Sequence, residues 1–96
     1  MDLRSLNYFC AVAEELNFTR AAQRLSISQP PLSNQMKALE EELGTPLFVR
    51  GSRGVSLTEA GKLLYRRASQ LLDLAERTRE EVGALAMGLS GTLCLG

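Results

Sequence analysis

FTRAAQRLSISQPPLSNQMKALEEEL, residues Phe18 to Leu43, decides the reading of this chain. It divides into two amphipathic stretches joined by the short polar link Ser26-Ile27-Ser28. In the first stretch Thr19 suits an N-cap, and the spacing predicts a short helix to Leu25 with Ala21, Ala22 and Leu25 facing inward. The paired alanines let another helix approach closely, and Ile27 plugs the turn. In the second, Ser28 stands where a cap belongs, and Pro30 and Pro31 fall in the first turn, where a missing amide donor costs little. Leu32, Met36, Leu39 and Leu43 then step by four, three and four residues, giving one apolar stripe. The opposite face offers Ser33, Asn34 and Lys37, with Gln29 and Gln35 nearby. Hydroxyl and amide groups hydrogen-bond to base edges and phosphates, and lysine neutralises phosphate. A helix pair that packs one helix down and presents the other in this way suits a nucleic-acid groove.

Toward the N-terminus, Leu3, Leu6, Phe9, Cys10, Ala13 and Leu16 predict a core helix over residues 2–16. Asp2 suits its start and Asn17 a left-handed C-cap. Phe18 follows as an aromatic anchor. Toward the C-terminus, Gly44 closes the second helix of the pair. Leu47-Phe48-Val49 and Val55-Ser56-Leu57 read as two short strands around a glycine-rich loop from which Arg50 and Arg53 protrude, like a wing beside the outward helix. Thr58 caps a last helix that runs to about Met87, on the order of 45 Å long, in which Gly61 costs some propensity. Along it Leu64, Ala68, Leu71, Ala75, Thr78, Val82, Leu85 and Leu89 alternate steps of four and three, a heptad seam interrupted only by Thr78. The chain holds no second long helix to cover that seam, so self-association is expected. Leu89 to Gly96 reads as a hinge and the start of a strand, as though a further domain followed.

Composition narrows the function classes. With 96 residues there is room for one small domain and an appended helix, and 5% aromatics without tryptophan favour a Leu/Ala helical core over a β-sandwich. Histidine is absent, and Cys10 and Cys94 stand far apart, so neither a metal spacing nor a disulfide framework is present. Cys10, on an apolar helix face, reads as a packed, inert thiol. No apolar run is long enough to span a bilayer, and the start lacks a basic leader, which points to the cytoplasm. Net charge is zero, yet Arg20, Arg24 and Lys37 stand in an acid-free stretch over residues 17–39, as do Arg50 and Arg53 over residues 43–58. A local positive field is compatible with a neutral total.

The segment LRSLNYFCAVAEELNFTRAAQRLSISQPPLSNQMKALEEELGTPLFVR, the wing, and SLTEAG together resemble the N-terminal domain of LysR-type transcriptional regulators. The likeness runs from about Met1 to Leu89 without gaps, and GTLCLG resembles the first strand of that family's effector-binding domain. The resemblance implies a mainly α fold: a winged helix-turn-helix of three helices and a β-hairpin over residues 1–57, then a linker and dimerisation helix over 58–89. Residues 90–96 would be a hinge and the start of a truncated effector-binding domain. It implies bacterial activators or repressors that bind imperfect inverted repeats of double-stranded DNA as homodimers or dimers of dimers, with a small-molecule effector acting only through the absent domain. By family pattern Gln29, Pro30, Pro31, Ser33 and Asn34 approach bases or sugar-phosphate in the major groove. Thr19, Ser28 and Lys37 touch phosphates, and Arg50 and Arg53 form the wing, Arg53 toward the minor groove. Many members carry arginine where this chain has Asn34. Asparagine is shorter and uncharged and pairs bidentately with adenine, so guanine readout is not expected there.

Two function classes compete with an enzyme far behind. A DNA-binding module and a protein-interaction adaptor working through the long helix both account for the seam. Only the first accounts for the avoidance of acids in the two segments that would face DNA. For an enzyme, no nucleophile–base pair, metal spacing or phosphate-cradling loop is assembled, and no cofactor is expected in this segment.

Overall fold

The computed structural model describes the backbone of residues 1–95 and the side chains of residues 1–88. Its elements are α1 (Leu3–Glu15), α2 (Phe18–Leu25), α3 (Gln29–Leu43), β1 (Phe48–Gly51), β2 (Gly54–Leu57) and α4 (Glu59–Leu95). The two strands pair antiparallel, Phe48 opposite Leu57 and Gly51 opposite Gly54, with Ser52 and Arg53 at the tip. Gly54 has a φ of 116°, a conformation open in practice to glycine alone.

α1 is the central helix, packed by α2, α3 and α4. Its burial is therefore wider than the stripe read from spacing: Tyr8, Ala11 and Val12 are buried beside Leu6, Phe9, Cys10 and Ala13. Leu3 and Leu16, expected inside, are exposed because they sit at the helix ends, beyond the neighbours. The thiol of Cys10 is buried, and desolvation pushes its pKa up, as an inert packing residue requires. Phe9, Leu32, Met36 and Leu47 are among the most completely buried side chains, each contributing about 1.5–3 kcal/mol by removal from water.

The caps differ in two places from the expectation. The left-handed C-cap of α1 is Leu16, with a φ of 51°, and its amide donates to the Val12 carbonyl. Asn17 instead caps α2, its side-chain oxygen accepting from the Arg20 amide at 2.9 Å. Thr19 then lies inside the first turn of α2. Asparagine serves either helix end, but only the N-cap uses its side-chain acceptor, and here that use wins. Asp2 caps α1 through the Ser5 amide at 2.8 Å, and Gly44 closes α3 with a φ of 72°. Ser28 stands at the start of α3 without a side-chain capping bond.

The apolar side of α4 is covered over its first turns only. Gly61, Tyr65, Ala68 and Leu72 pack toward the core, Ala68 with no exposed surface. Leu71 and Leu74 on the flank of that side, and Val82 and Leu85 further along the helix, are all exposed. The reading that put Leu64 and Ala68 wholly into a self-association seam is thus corrected. Ala68 belongs to the core and Leu64 is half-buried against it, because α1 supplies the intrachain partner for the first turns. Beyond these turns the helix leaves the domain, and the molecule measures 65 × 25 × 19 Å. The hinge and strand expected over residues 90–96 also differ: α4 continues to Leu95. A strand needs a pairing partner, whereas a helix already under way adds a bond per residue without one. The side chain of Leu89 and all of Gly96 lie outside the described residues.

Glu14, Arg24 and Tyr65 tie three helices together. The Tyr65 hydroxyl donates to the Glu14 carboxylate at 2.8 Å, and Arg24 pairs with Glu14 at 2.6 Å and with Glu15 at 3.3 Å. The Tyr65 hydrogen bond first, and Arg24 second, hold the Glu14 pKa below the usual glutamate value. A lowered folded-state pKa gives stability that is present above the unfolded value and lost as pH falls through the folded one. Glu14→Gln should therefore flatten the acid limb of stability against pH. The change should stay under about 1 kcal/mol, since the group is partly exposed and screened. Urea unfolding between neutral and acid pH measures it, and an unaltered acid limb would remove Glu14 from the account.

Glycine substitutions on α4 should move stability in opposite directions. A Cβ on Gly61 would lie 2.2 Å from the Leu47 carbonyl oxygen, whereas one on Gly83 meets nothing within 4 Å. Gly61→Ala is expected to destabilise by roughly 1–3 kcal/mol through overpacking. Gly83→Ala should stabilise by up to about 1 kcal/mol, as in any open helix position. Denaturation midpoints of the two variants check both signs.

Candidate nucleic-acid interface

The outward side of the molecule is formed by α3, the N-terminal end of α2 and the hairpin. α2 and α3 are linked by Ser26, left-handed at φ 59°, then Ile27 and Ser28, and the Ile27 amide donates to the Ala22 carbonyl at 2.9 Å. Leu32, Met36 and Leu39 bury one face of α3, as the spacing required; Leu43 is partly exposed where the core ends. That leaves Pro30, Asn34 and Lys37 exposed on the opposite face, with Ser33 half-buried at its margin. Pro31 is also exposed, further round the helix. The Gln29 amide donates to the Ser33 hydroxyl at 2.8 Å, so two groups read as base-facing already hold one another in place. Thr19 and Ser28 are exposed at the starts of α2 and α3.

The cations separate into engaged and free. Arg24, counted in the acid-free stretch, is neutralised by Glu14 and Glu15 and adds little to the field on this side. Arg20, Lys37 and Arg53 are exposed and make no ion pair among the described residues. Arg53 stands at the hairpin tip, as a wing residue should. Arg50 does not protrude freely: its guanidinium lies 4.1 Å from the centroid of the Phe18 ring. Stacking of this kind restrains a long side chain while leaving its charge exposed. Phe48 continues the aromatic run, 5.4 Å from Phe18 and 5.3 Å from Phe9, and so seats the hairpin on α1 and α2.

Glu40, the residue that ends the acid-free stretch over residues 17–39, has a structural role. Its carboxylate accepts from the backbone amides of Leu47 at 2.6 Å and Phe48 at 3.3 Å, tying α3 to the start of β1. The sequence signal for this was faint: a glutamate seven and eight residues before the amides it meets, across a glycine-closed turn. The role of Gly61 was missed for a similar reason. Glycine in a helix looks like a cost until the backbone beside it is known.

Among the described residues, no group of acids and cysteines is arranged to hold a metal ion, and no helix is long and apolar enough to cross a membrane.

Comparison with known proteins agrees with this geometry. The family model described as "Bacterial regulatory helix-turn-helix protein, lysR family" matches residues 3–62, from the start of α1 to the first turn of α4. The chain is 56% identical over 96 residues to the HTH-type transcriptional regulator BudR of Klebsiella aerogenes, covering all of this chain and 67% of that protein. It is 54% identical to the BudR of Raoultella terrigena, of which it spans only 33%. Among solved structures, the CbnR DNA-binding domain in complex with DNA superposes with a TM-score of 0.86 at 46% identity, covering 90% of this chain and 99% of that one. With the family model spanning more than half of the residues and a close relative matching from end to end, the chain belongs to the lysR family of bacterial regulatory helix-turn-helix proteins.

Proposed function

We propose that the chain binds double-stranded DNA sequence-specifically as the reading end of a cytoplasmic bacterial transcription regulator. α3 enters the major groove, and the hairpin arginines lie on the backbone or in the adjacent minor groove. The observation that carries this reading is the outward face of α3, where amide and hydroxyl groups and unpaired Lys37 are presented without an acid until Glu41. Ser33, Asn34 and Gln29 are the base-reading candidates, with Pro30 and Pro31 beside them against sugar-phosphate. Thr19, Ser28 and Lys37 take phosphates. The CbnR and BenM domains, similar to this chain along nearly their whole length, were solved on DNA.

Self-association supports the same reading. Val82 is 61% and Leu85 67% exposed on a helix that has left its own core, and a second copy of that helix would cover them. One copy then reads half of an inverted repeat, and the α4 pair sets the distance to the other half. Effector response would reside in a part of the regulator outside this chain. Nothing in the binding step calls for a cofactor or for catalysis. The adaptor reading shares the exposed helix but gives no reason for the acid-free face.

Lys37→Ala and Arg53→Ala should each weaken binding to all sequences and lower the salt slope by about one unit. Ser33→Ala should instead relax preference at particular base pairs, by about 1–3 kcal/mol. Titration of DNA duplexes at several salt concentrations, with selection from a random duplex pool, separates the two effects. A pool that yields no motif would favour the adaptor. For the seam, Val82→Asp should give monomers in sedimentation, and a dimer that survives it would place the interface elsewhere.

A further inference from the structure

The geometry points to Glu40 as a positioning residue that holds the hairpin in its DNA-facing pose. This inference rests on the DNA-binding reading above. The Glu40 Oε2 atom is committed to the Leu47 and Phe48 amides at 2.6 and 3.3 Å, and Lys37 carries no ion pair among the described residues. The same carboxylate satisfies the amide of Leu47, which precedes the strand, and also accepts from Phe48, the first residue of β1. Charge-assisted bonds to backbone amides are short and directional, so the peptide entering the hairpin is oriented by α3 itself.

The other side of that peptide is held independently. The Thr58 amide donates to the Leu47 carbonyl at 3.0 Å, and the Thr58 hydroxyl to the Pro46 carbonyl at 2.8 Å. The hairpin base is therefore gripped between α3 and the start of α4. Removing Glu40 releases only the α3 side. The fold keeps Leu47 and Phe48 buried, but the direction in which the tip and Arg53 project is no longer set by the helix lying in the groove.

A double-mutant cycle tests this, since coupling between distant residues is its direct readout. Wild type, Glu40→Ala, Arg53→Ala, Lys37→Ala and the pairs combining Glu40→Ala with each of the others are titrated with a mixed-sequence DNA duplex between about 50 and 200 mM salt. In the wild-type background Arg53→Ala should lower the salt slope by about one unit. In the Glu40→Ala background it should lower it by far less, while Lys37→Ala keeps its full effect because α3 is unmoved. An Arg53→Ala effect of equal size in both backgrounds overturns the inference. A wild-type chain that does not bind the duplex overturns the DNA-binding reading itself, a different outcome from lost coupling in a protein that binds. Glu40→Gln, which keeps shape and a weaker acceptor, covers the case in which the alanine variant fails to fold. Hydrogen exchange at the Leu47 and Phe48 amides should then quicken, and unchanged protection overturns the inference.

Discussion

The peptide of Leu47 is held from three directions, and the arrangement of the domain depends on it. Its amide donates to Glu40 of α3, its carbonyl accepts from Thr58 ahead of α4, and the same carbonyl oxygen leaves no room for a side chain on Gly61. Its own side chain is buried in the core. A residue one step outside any strand thus fixes the relation of α3, the hairpin and the long helix. None of these contacts is individually large. A hydrogen bond contributes about 1 kcal/mol net, but a buried amide or carbonyl left unpaired costs more, so each contact is worth more kept than its own net gain.

Next to this node, Phe48 brings the hydrophobic and electrostatic parts of the molecule together. It packs on Phe9 and Phe18, and Phe18 carries the Arg50 guanidinium on its face. The core residues that stabilise the hairpin also restrain one of its two arginines. The other, Arg53, is free at the tip. One arginine is pre-ordered and one is adaptable, a division that suits a charged contact at fixed distance beside a reach of variable depth.

The order of helices and strands was legible in the sequence because each element carries a local signal. The four-three spacing of Leu32, Met36 and Leu39, the prolines after Ser28, and the glycines around Arg53 each require only neighbours along the chain to interpret. Boundaries were less legible where one residue could serve two elements. Asn17 was able to end α1 or begin α2, and Leu16 took the strained conformation that freed it for the second. On α4 the repeat of seven was legible, but the point where its cover changes was not: Ala68 and Val82 stand two repeats apart on nearly one line, and only the packing of α1 shows that Ala68 is buried within the chain while Val82 is exposed. Of the outward residues, the hydroxyl and amide groups of α3 were legible by type. Glu40 was not, because its partners are backbone amides, which leave no mark on the sequence.

The contact between Gly61 and Leu47 has a mechanical meaning as well. Backbone meets backbone there without a side chain between, so α4 is pinned near its base and cannot slide along the domain. What remains open to it is tilt. From Gly61 to Leu95 the helix extends roughly 50 Å, and a tilt of about 5° carries its far end about 4 Å, more than the rise of one base pair. α4 is a pointer on a fixed pivot. Small rearrangements of the core beneath its first turns become displacements at its far end on the scale by which DNA itself is measured.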